Sequence, residues 1–145
     1  MDRRKFIKNA GYGLGFATFT PQIIATAKNS RGSFRHGVAS GDPWQNQIIL
    51  WTRVTSAADL PIKINWQMSR HPNFKKLVCQ GETVTYKECD YCVKVDAILP
   101  KEEIPGTTYY YRFLADNESS AIGRTHTLPD QHLDKIKLAL MSCSK

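Results

Sequence analysis

The residue best placed for chemistry is a cysteine at the tip of an apolar segment near the end of the chain. Apolar side chains recur at every second position from Ile136 to Leu140, and Cys143 follows. This alternation predicts a β-strand. A thiolate at the carboxyl end of a buried strand lies where α/β sites collect metal ligands, but a metal needs several ligands in a fixed geometry. Cys143 is therefore either one ligand of a larger set or a small buried apolar side chain.

The other cysteines and the histidines lack the spacing of a known site. Cys89 and Cys92 are spaced as in zinc or redox pairs, but no second pair accompanies them and no βαβ pattern surrounds them. The histidines form no His-Glu-x-x-His pair, which favours structural or exposed roles; they are His36, His71, His126 and His132. Gly41-Asp42-Pro43 is most simply a turn, since no phosphate-loop lysine follows it.

Residues 1–27 resemble a twin-arginine export signal. Arg3, Arg4 and Phe6 lie in a basic start, which is followed by a mildly apolar stretch that closes in the small-residue pattern Ala25-Thr26-Ala27. Glycines, threonines and Pro21 make that stretch too weak and too short for a membrane anchor. The alternative is an amphipathic or buried N-terminal helix, which the proline and the poor helix formers disfavour.

An export signal predicts a location and a partner. The mature chain is expected in the periplasm or at the cell exterior, delivered by the twin-arginine machinery, which often carries proteins already loaded with a metal or cofactor. In an exported protein a disulfide is the expected state of nearby cysteines, here Cys79 with Cys89 or Cys92, and a free pair is the alternative.

The charge of the chain does not predict a nucleic-acid partner. The formal net charge is +7, and residues 1–27 contribute +3 of it. The remaining +4 is spread over 118 residues in which basic and acidic side chains are interspersed. Such a distribution is typical of an ordinary solvated surface.

The sequence from residue 33 to residue 130 predicts an all-β domain. Short runs of β-branched and aromatic residues alternate with turn signals, and no long helical period appears, which favours an antiparallel β-sandwich. Trp51 and Trp66 are predicted to fill the core between the sheets. Alternation in the run Tyr109–Phe113 places Tyr109, Tyr111 and Phe113 on one face of a strand. The Pro-Gly-Thr-x-Tyr sequence that opens this strand resembles a tyrosine corner.

Several segments, in order, resemble the N-terminal domain of PhoD-like alkaline phosphatases and phosphodiesterases. They are FRHGVASGDPWQNQIILWTRV, INWQMS, DYCVKVDAIL, PGTTYYYRF, GRTHTLP and LALMSCS. The sequence departs from the family pattern at Glu102 and Glu103, which precede the corner proline where an apolar residue is usual. The resemblance implies an immunoglobulin or fibronectin type III-like sandwich over residues 28–130. Residues 131–145 would then begin a truncated α/β metallophosphoesterase domain, with Ile136 to Ser142 as its first strand.

The same resemblance implies a metal-dependent hydrolase of phosphate esters. Complete relatives would hold iron and calcium, with Cys143 as an iron ligand, whereas this chain is expected to bind no metal and to be inactive by itself. The Gly41-Asp42-Pro43 turn would buttress the active site across the domain boundary. The alternative hypothesis is a stand-alone exported β-sandwich that binds a partner or a sugar polymer without catalysis.

Overall fold

The computed structural model describes residues 32–131, together with residues 135, 139 and 140. Ten strands and one short 3-10 turn, Lys87–Cys89, make up the regular structure of this part of the chain. The strands are β1 (Gly32–Ser33), β2 (Val38–Gly41), β3 (Gln47–Arg53), β4 (Thr55–Ser56), β5 (Ile62–Ser69), β6 (Leu77–Thr85), β7 (Cys92–Ile98), β8 (Thr108–Ala115), β9 (Glu118–Ser119) and β10 (Gly123–His126).

The strands form two main antiparallel sheets. One has the order β10-β8-β5-β6, with β9 paired to β8, and the other has the order β2-β3-β7. A small third ladder joins β1 to β4. Three strands facing four in this order, with chain crossovers between the sheets, make a fibronectin type III-like sandwich. The predicted all-β, antiparallel sandwich is therefore confirmed.

The core lies between the two sheets and follows the period-two alternation of the strands. In β8 the buried side chains are Tyr109, Tyr111, Phe113 and Ala115, and the residues between them are half-buried. The opposite sheet contributes Ile48 and Leu50 from β3, both fully buried. Full burial of a large apolar side chain stabilises the fold by about 1.5–3 kcal/mol, so the predicted inward face of β8 is a main source of stability.

The two tryptophans predicted for the core have different environments. Trp66 on β5 belongs to the core cluster and is 9% exposed. Trp51 is not a core residue, because it lies between Leu50 and Thr52, both of which are fully buried. Neighbours along a strand point to opposite faces, so Trp51 lies on the outer face of its sheet and its predicted core position is wrong.

Tyr111 joins the two sheets at one edge of the sandwich. Gly123 on β10 is its paired neighbour, and a Cβ at Gly123 would lie 2.6 Å from the Tyr111 Oη. The missing side chain lets the phenol pass over β10 and brings its hydroxyl toward the Ser40 side chain on β2 of the other sheet. Burial raises the pKa of Tyr111, which favours the neutral phenol.

Two predicted segments lie largely or wholly outside the described residues. The export signal, residues 1–27, is wholly outside them. Of the predicted strand from Ile136 to Ser142, only Ala139 and Leu140 are described; both are exposed and outside any strand. In the described part of the chain, no helix is long and apolar enough to cross a membrane.

Candidate functional site

The residues predicted to carry metal binding and targeting are not among those the structure describes. Cys143, Arg3, Arg4 and Phe6 all lie outside residues 32–131 and the three further described positions. His132 is also outside them. Their roles stay predictions from the sequence.

The described residues do not fit an iron or calcium site. No group of three or more His, Cys, Asp or Glu side chains among them could hold a metal ion. Iron and calcium both need several such ligands around one point. The described residues therefore hold no complete ligand set for either metal by themselves.

The predicted disulfide is absent. Cys79, Cys89 and Cys92 are free thiols in the structure, so the expected pairing of Cys79 with Cys89 or Cys92 is wrong. Cys79 is half-buried on β6, and Cys89 is exposed in the 3-10 turn before β7. Burial, with a smaller contribution from Glu103, raises the pKa of the Cys79 thiol to about 11. This thiol is therefore a poor nucleophile near neutral pH.

The His36–Pro43 motif is built into the edge of the smaller sheet. Thr52 Oγ1 donates a 2.8 Å hydrogen bond to the Gly37 carbonyl, which fixes the start of β2 against β3. Asp42 has a φ of 47° and turns the chain outward at the end of β2. The Trp44 amide then donates to the Gln47 carbonyl at 2.8 Å and closes the turn. The motif thus positions a turn, as its sequence predicts.

Exposed apolar side chains gather at the end of the sandwich that contains this turn. They are Trp44 (59% exposed), Ile98 (63%), Ile104 (64%) and Leu128 (48%), called the apolar end below. Backbone hydrogen bonds connect their segments: the Leu128 amide donates to the Trp44 carbonyl and the Gly106 amide to the Leu128 carbonyl, each at 3.0 Å. The chain leaves the sandwich here, through Leu128 and Pro129.

A depression of about 570 Å³ lies beside the apolar end, between β2 and β10. Its lining residues are Ser40, Gly41, Pro43, Thr108, Arg124, Thr125 and His126. Arg124 and His126 are exposed, and the Thr108 Oγ1 lies 3.1 Å from the His126 Nδ1. Among the residues that the structure describes, the lining carries basic and hydroxyl groups and no carboxylate. Its chemistry suits an anionic ligand.

Arg53 connects the His36 loop to the turn before β7. Its guanidinium forms a bidentate pair with the Asp90 carboxylate, at 2.7 and 3.0 Å, and contacts the His36 Nε2 at 2.8 Å. The hydrogen bond from Arg53 holds the pKa of Asp90 below its usual value. Because the Arg53 guanidinium is already paired with Asp90, it is not available to a ligand. It instead joins the His36 loop to the turn before β7.

The tyrosine corner has an acidic partner. The Tyr109 hydroxyl donates a 2.6 Å hydrogen bond to the Glu103 Oε2, and the Arg70 Nε donates to the same oxygen at 2.9 Å. The Glu103 side chain is only 16% exposed. Burial, followed by the bond to Glu103, raises the pKa of Tyr109 to about 12. Glu103, one of the two residues that depart from the family pattern, therefore accepts the hydrogen bond of the corner tyrosine.

Sequence reasoning missed the apolar end and the basic depression. Trp44 directly follows a turn motif, which predicts an exposed position. Arg124 and His126 are two positions apart on a short strand, which predicts that they share a face. What brings them together is the meeting of β2 and β10 at the edges of two sheets, which no local pattern shows.

Known proteins resemble this chain over most of its length. The sequence model of the family described as "PhoD-like phosphatase, N-terminal domain" matches residues 19–129. Alkaline phosphatase D of Bacillus subtilis (strain 168) is 30% identical over 161 aligned positions, which cover 99% of this chain and 27% of that protein. A solved structure, "Structure of PhoD", is 32% identical with a TM-score of 0.59 and covers 64% of this chain and 19% of that one.

Proposed function

Because the chain belongs to the family of PhoD-like phosphatase N-terminal domains, we propose that it is the leading domain of an exported, metal-dependent hydrolase of phosphate esters. The family match over residues 19–129 is the observation that carries this proposal. The chain spans about a quarter of the length of the curated relative that it matches, 27%. We assign the hydrolysis itself to a separate catalytic domain, in the part of the relative's length that this chain does not cover.

The role proposed for the sandwich is to support that catalytic domain. Its apolar end is the surface proposed to pack against the catalytic domain, because the chain leaves the sandwich there and four large apolar side chains are exposed there together. Single exposed apolar residues are ordinary, whereas a group of them suits an interface. The motif turn Gly41-Asp42-Pro43 would thus reach the domain boundary through Trp44.

Cys143 is proposed as an iron ligand at the start of the catalytic domain, with calcium as a further metal. This assignment is supported by the family resemblance and by the place of a cysteine after an apolar alternating segment. Bound metals would supply charge neutralisation on the transferring phosphoryl group. Among the described residues no group of three or more His, Cys, Asp or Glu side chains could hold a metal by itself, so the ligand set is proposed to come from the catalytic domain.

Activity and metal content test the proposal together. The 145-residue chain is expected to hydrolyse neither a chromogenic phosphate monoester nor a diester, and to hold no stoichiometric iron. A chimaera in which this chain replaces the matching quarter of the Bacillus subtilis relative is expected to gain both properties, and Cys143→Ala is expected to weaken both. Turnover with stoichiometric iron in the short chain would contradict the proposal.

The apolar end has its own variant in the same chimaera. Replacing Trp44 and Leu128 with Ser is expected to lower the melting temperature and the activity of the chimaera, because it removes apolar contact at the domain boundary. Val84→Ser is the matched control, since Val84 is 52% exposed on β6, outside the apolar end. Equal effects from both variants would contradict a docking role.

Export is tested separately from hydrolysis. Arg3→Lys combined with Arg4→Lys is expected to leave the precursor in the cytoplasm if the twin-arginine machinery reads this pair. Lys8→Arg is the control, because it keeps the charge and leaves the pair intact. Unchanged export of the double variant would assign the signal to the general secretory route.

A further inference from the structure

The Arg124 side chain has no partner within the described residues. The other strand arginines are engaged: Arg53 pairs with Asp90, and Arg112 donates to the Gln67 Oε1 and stacks on the Phe74 ring at 4.3 Å. The Arg124 backbone pairs with Tyr110 in the β10–β8 ladder, but its side chain makes no hydrogen bond or ion pair with the described part of the chain. Its guanidinium therefore keeps all five donors available on the wall of the depression.

His126 offers a second donor on the same side of β10. It lies two positions after Arg124, so both side chains project from the same face of the strand. The contact between its Nδ1 and the Thr108 Oγ1, at 3.1 Å, orients the ring and leaves Nε2 for a ligand. Arg124 and His126 thus form a pair of ligand-binding groups about 7 Å apart along the strand.

The wall of the depression opposite Arg124 is formed by the end of β2, where Gly41 has no side chain. A Cβ at Gly41 would meet no atom within 4 Å, so space remains above the end of β2. β2 and β10 are both edge strands of their sheets, and alternate amides of an edge strand have no ladder partner. Ser40 is part of this wall and lies near the Tyr111 hydroxyl.

We propose that this depression binds a phosphate monoester, with Arg124 and His126 contacting the phosphoryl oxygens. A guanidinium fork matches a phosphate in two parallel hydrogen bonds, and an imidazole adds a third. The depression is open to solvent, so the organic part of an ester can extend out of it without meeting a wall. The absence of a carboxylate from the lining favours an anion over a cation. The inference rests on this geometry and not on the hydrolase assignment.

The test is an NMR titration of the 15N-labelled 145-residue chain with glycerol 3-phosphate at constant ionic strength. Saturable shifts are expected at Gly41, Arg124 and His126, with a Kd on the order of 1 mM because the donors are exposed. Inorganic phosphate is expected to saturate the same signals. Acetate, which presents a carboxylate, is expected to bind at least tenfold more weakly, and equal affinity for acetate would overturn the phosphate assignment.

Variants separate a site from general attraction of anions to a basic protein. Arg124→Gln is expected to raise the Kd at least tenfold, and His126→Gln about threefold, while amide dispersion shows that both variants remain folded. Arg35→Gln removes an exposed arginine that does not line the depression and is expected to leave the Kd unchanged. Non-saturable shifts, an unaffected Arg124→Gln, or equal weakening by Arg35→Gln would each overturn the proposal.

Discussion

The Tyr109 hydroxyl donates its hydrogen bond to the Glu103 carboxylate, at 2.6 Å, six residues before it in the chain. Tyrosine corners usually cap backbone groups, whereas this one ends on an acidic side chain that Arg70 also holds. A buried phenol with a charged acceptor gives a stronger bond than a neutral pair. Glu103 therefore joins the loop before β8 to the end of β5.

Removing Glu103 should destabilise the sandwich. Glu103→Ala is expected to lower the free energy of unfolding by about 2 kcal/mol, because the Tyr109 hydroxyl is left buried without an acceptor. The neighbouring Glu102 is exposed and makes no such contact, so Glu102→Ala is expected to change it by less than about 0.5 kcal/mol. Urea unfolding of both variants measures the difference. Equal stabilities would show that the corner bond contributes nothing.

Alkaline pH should weaken the same corner. The pKa of Tyr109 is raised to about 12 in the folded chain, against about 10 for an unfolded tyrosine. Its contribution to stability is therefore full below about pH 10 and is lost as the pH rises toward 12. Tyr109→Phe is expected to flatten the fall in the free energy of unfolding between pH 10 and 12. Tyr110→Phe, at a half-buried position on the outer face, is the control, and an equal flattening by it would contradict the assignment to Tyr109.

Gly123 should tolerate no side chain. Its Cβ would clash with the Tyr111 phenol, at 2.2 Å from the ring, so Gly123→Ala must displace this buried ring. A loss of about 2–3 kcal/mol is expected from this overpacking. Gly41→Ala is the matched control on the facing edge strand, where a Cβ meets open space, and should be nearly neutral. A neutral Gly123→Ala would show that Tyr111 does not close the edge.

The fold was largely predictable because its strands alternate cleanly. The inward set of β8 follows directly from its period of two, since Tyr109, Tyr111 and Phe113 are all buried. Trp51 shows the limit of using residue type alone: it lies in a strand whose inward positions are Ile48, Leu50 and Thr52, and the alternation outweighs the size of its ring. A small polar threonine faces the core because its position in the register dictates it.

The candidate site was much less predictable, because it forms between distant segments. Ser40, Thr108 and Arg124 come together only when β2 and β10 meet across the two sheets. The disulfide prediction failed for a related reason. Cysteine spacing and an expected compartment favour pairing, but Cys79 lies on β6 opposite Met68, whereas Cys92 opens β7 opposite Arg53 in the other sheet.

Cys79 should react slowly with alkylating reagents in the folded chain. A pKa of about 11 leaves roughly 0.001 of the thiol ionised at pH 8, about a hundredfold less than an unperturbed thiol. The exposed Cys89 provides the internal reference. Because a thiolate of higher pKa is also more nucleophilic, iodoacetamide labelling at pH 8 with peptide mass mapping is expected to modify Cys79 at least about tenfold more slowly than Cys89, and at a similar rate in urea.

The same peptide maps test the free thiols. Because Cys79, Cys89 and Cys92 are unpaired in the structure, all three should be alkylated completely in urea without any reductant. The test is stricter with protein recovered from an oxidising compartment, because any disulfide that can form will have formed there. A peptide linking Cys79 to Cys89 or Cys92 would restore the pairing expected from the sequence.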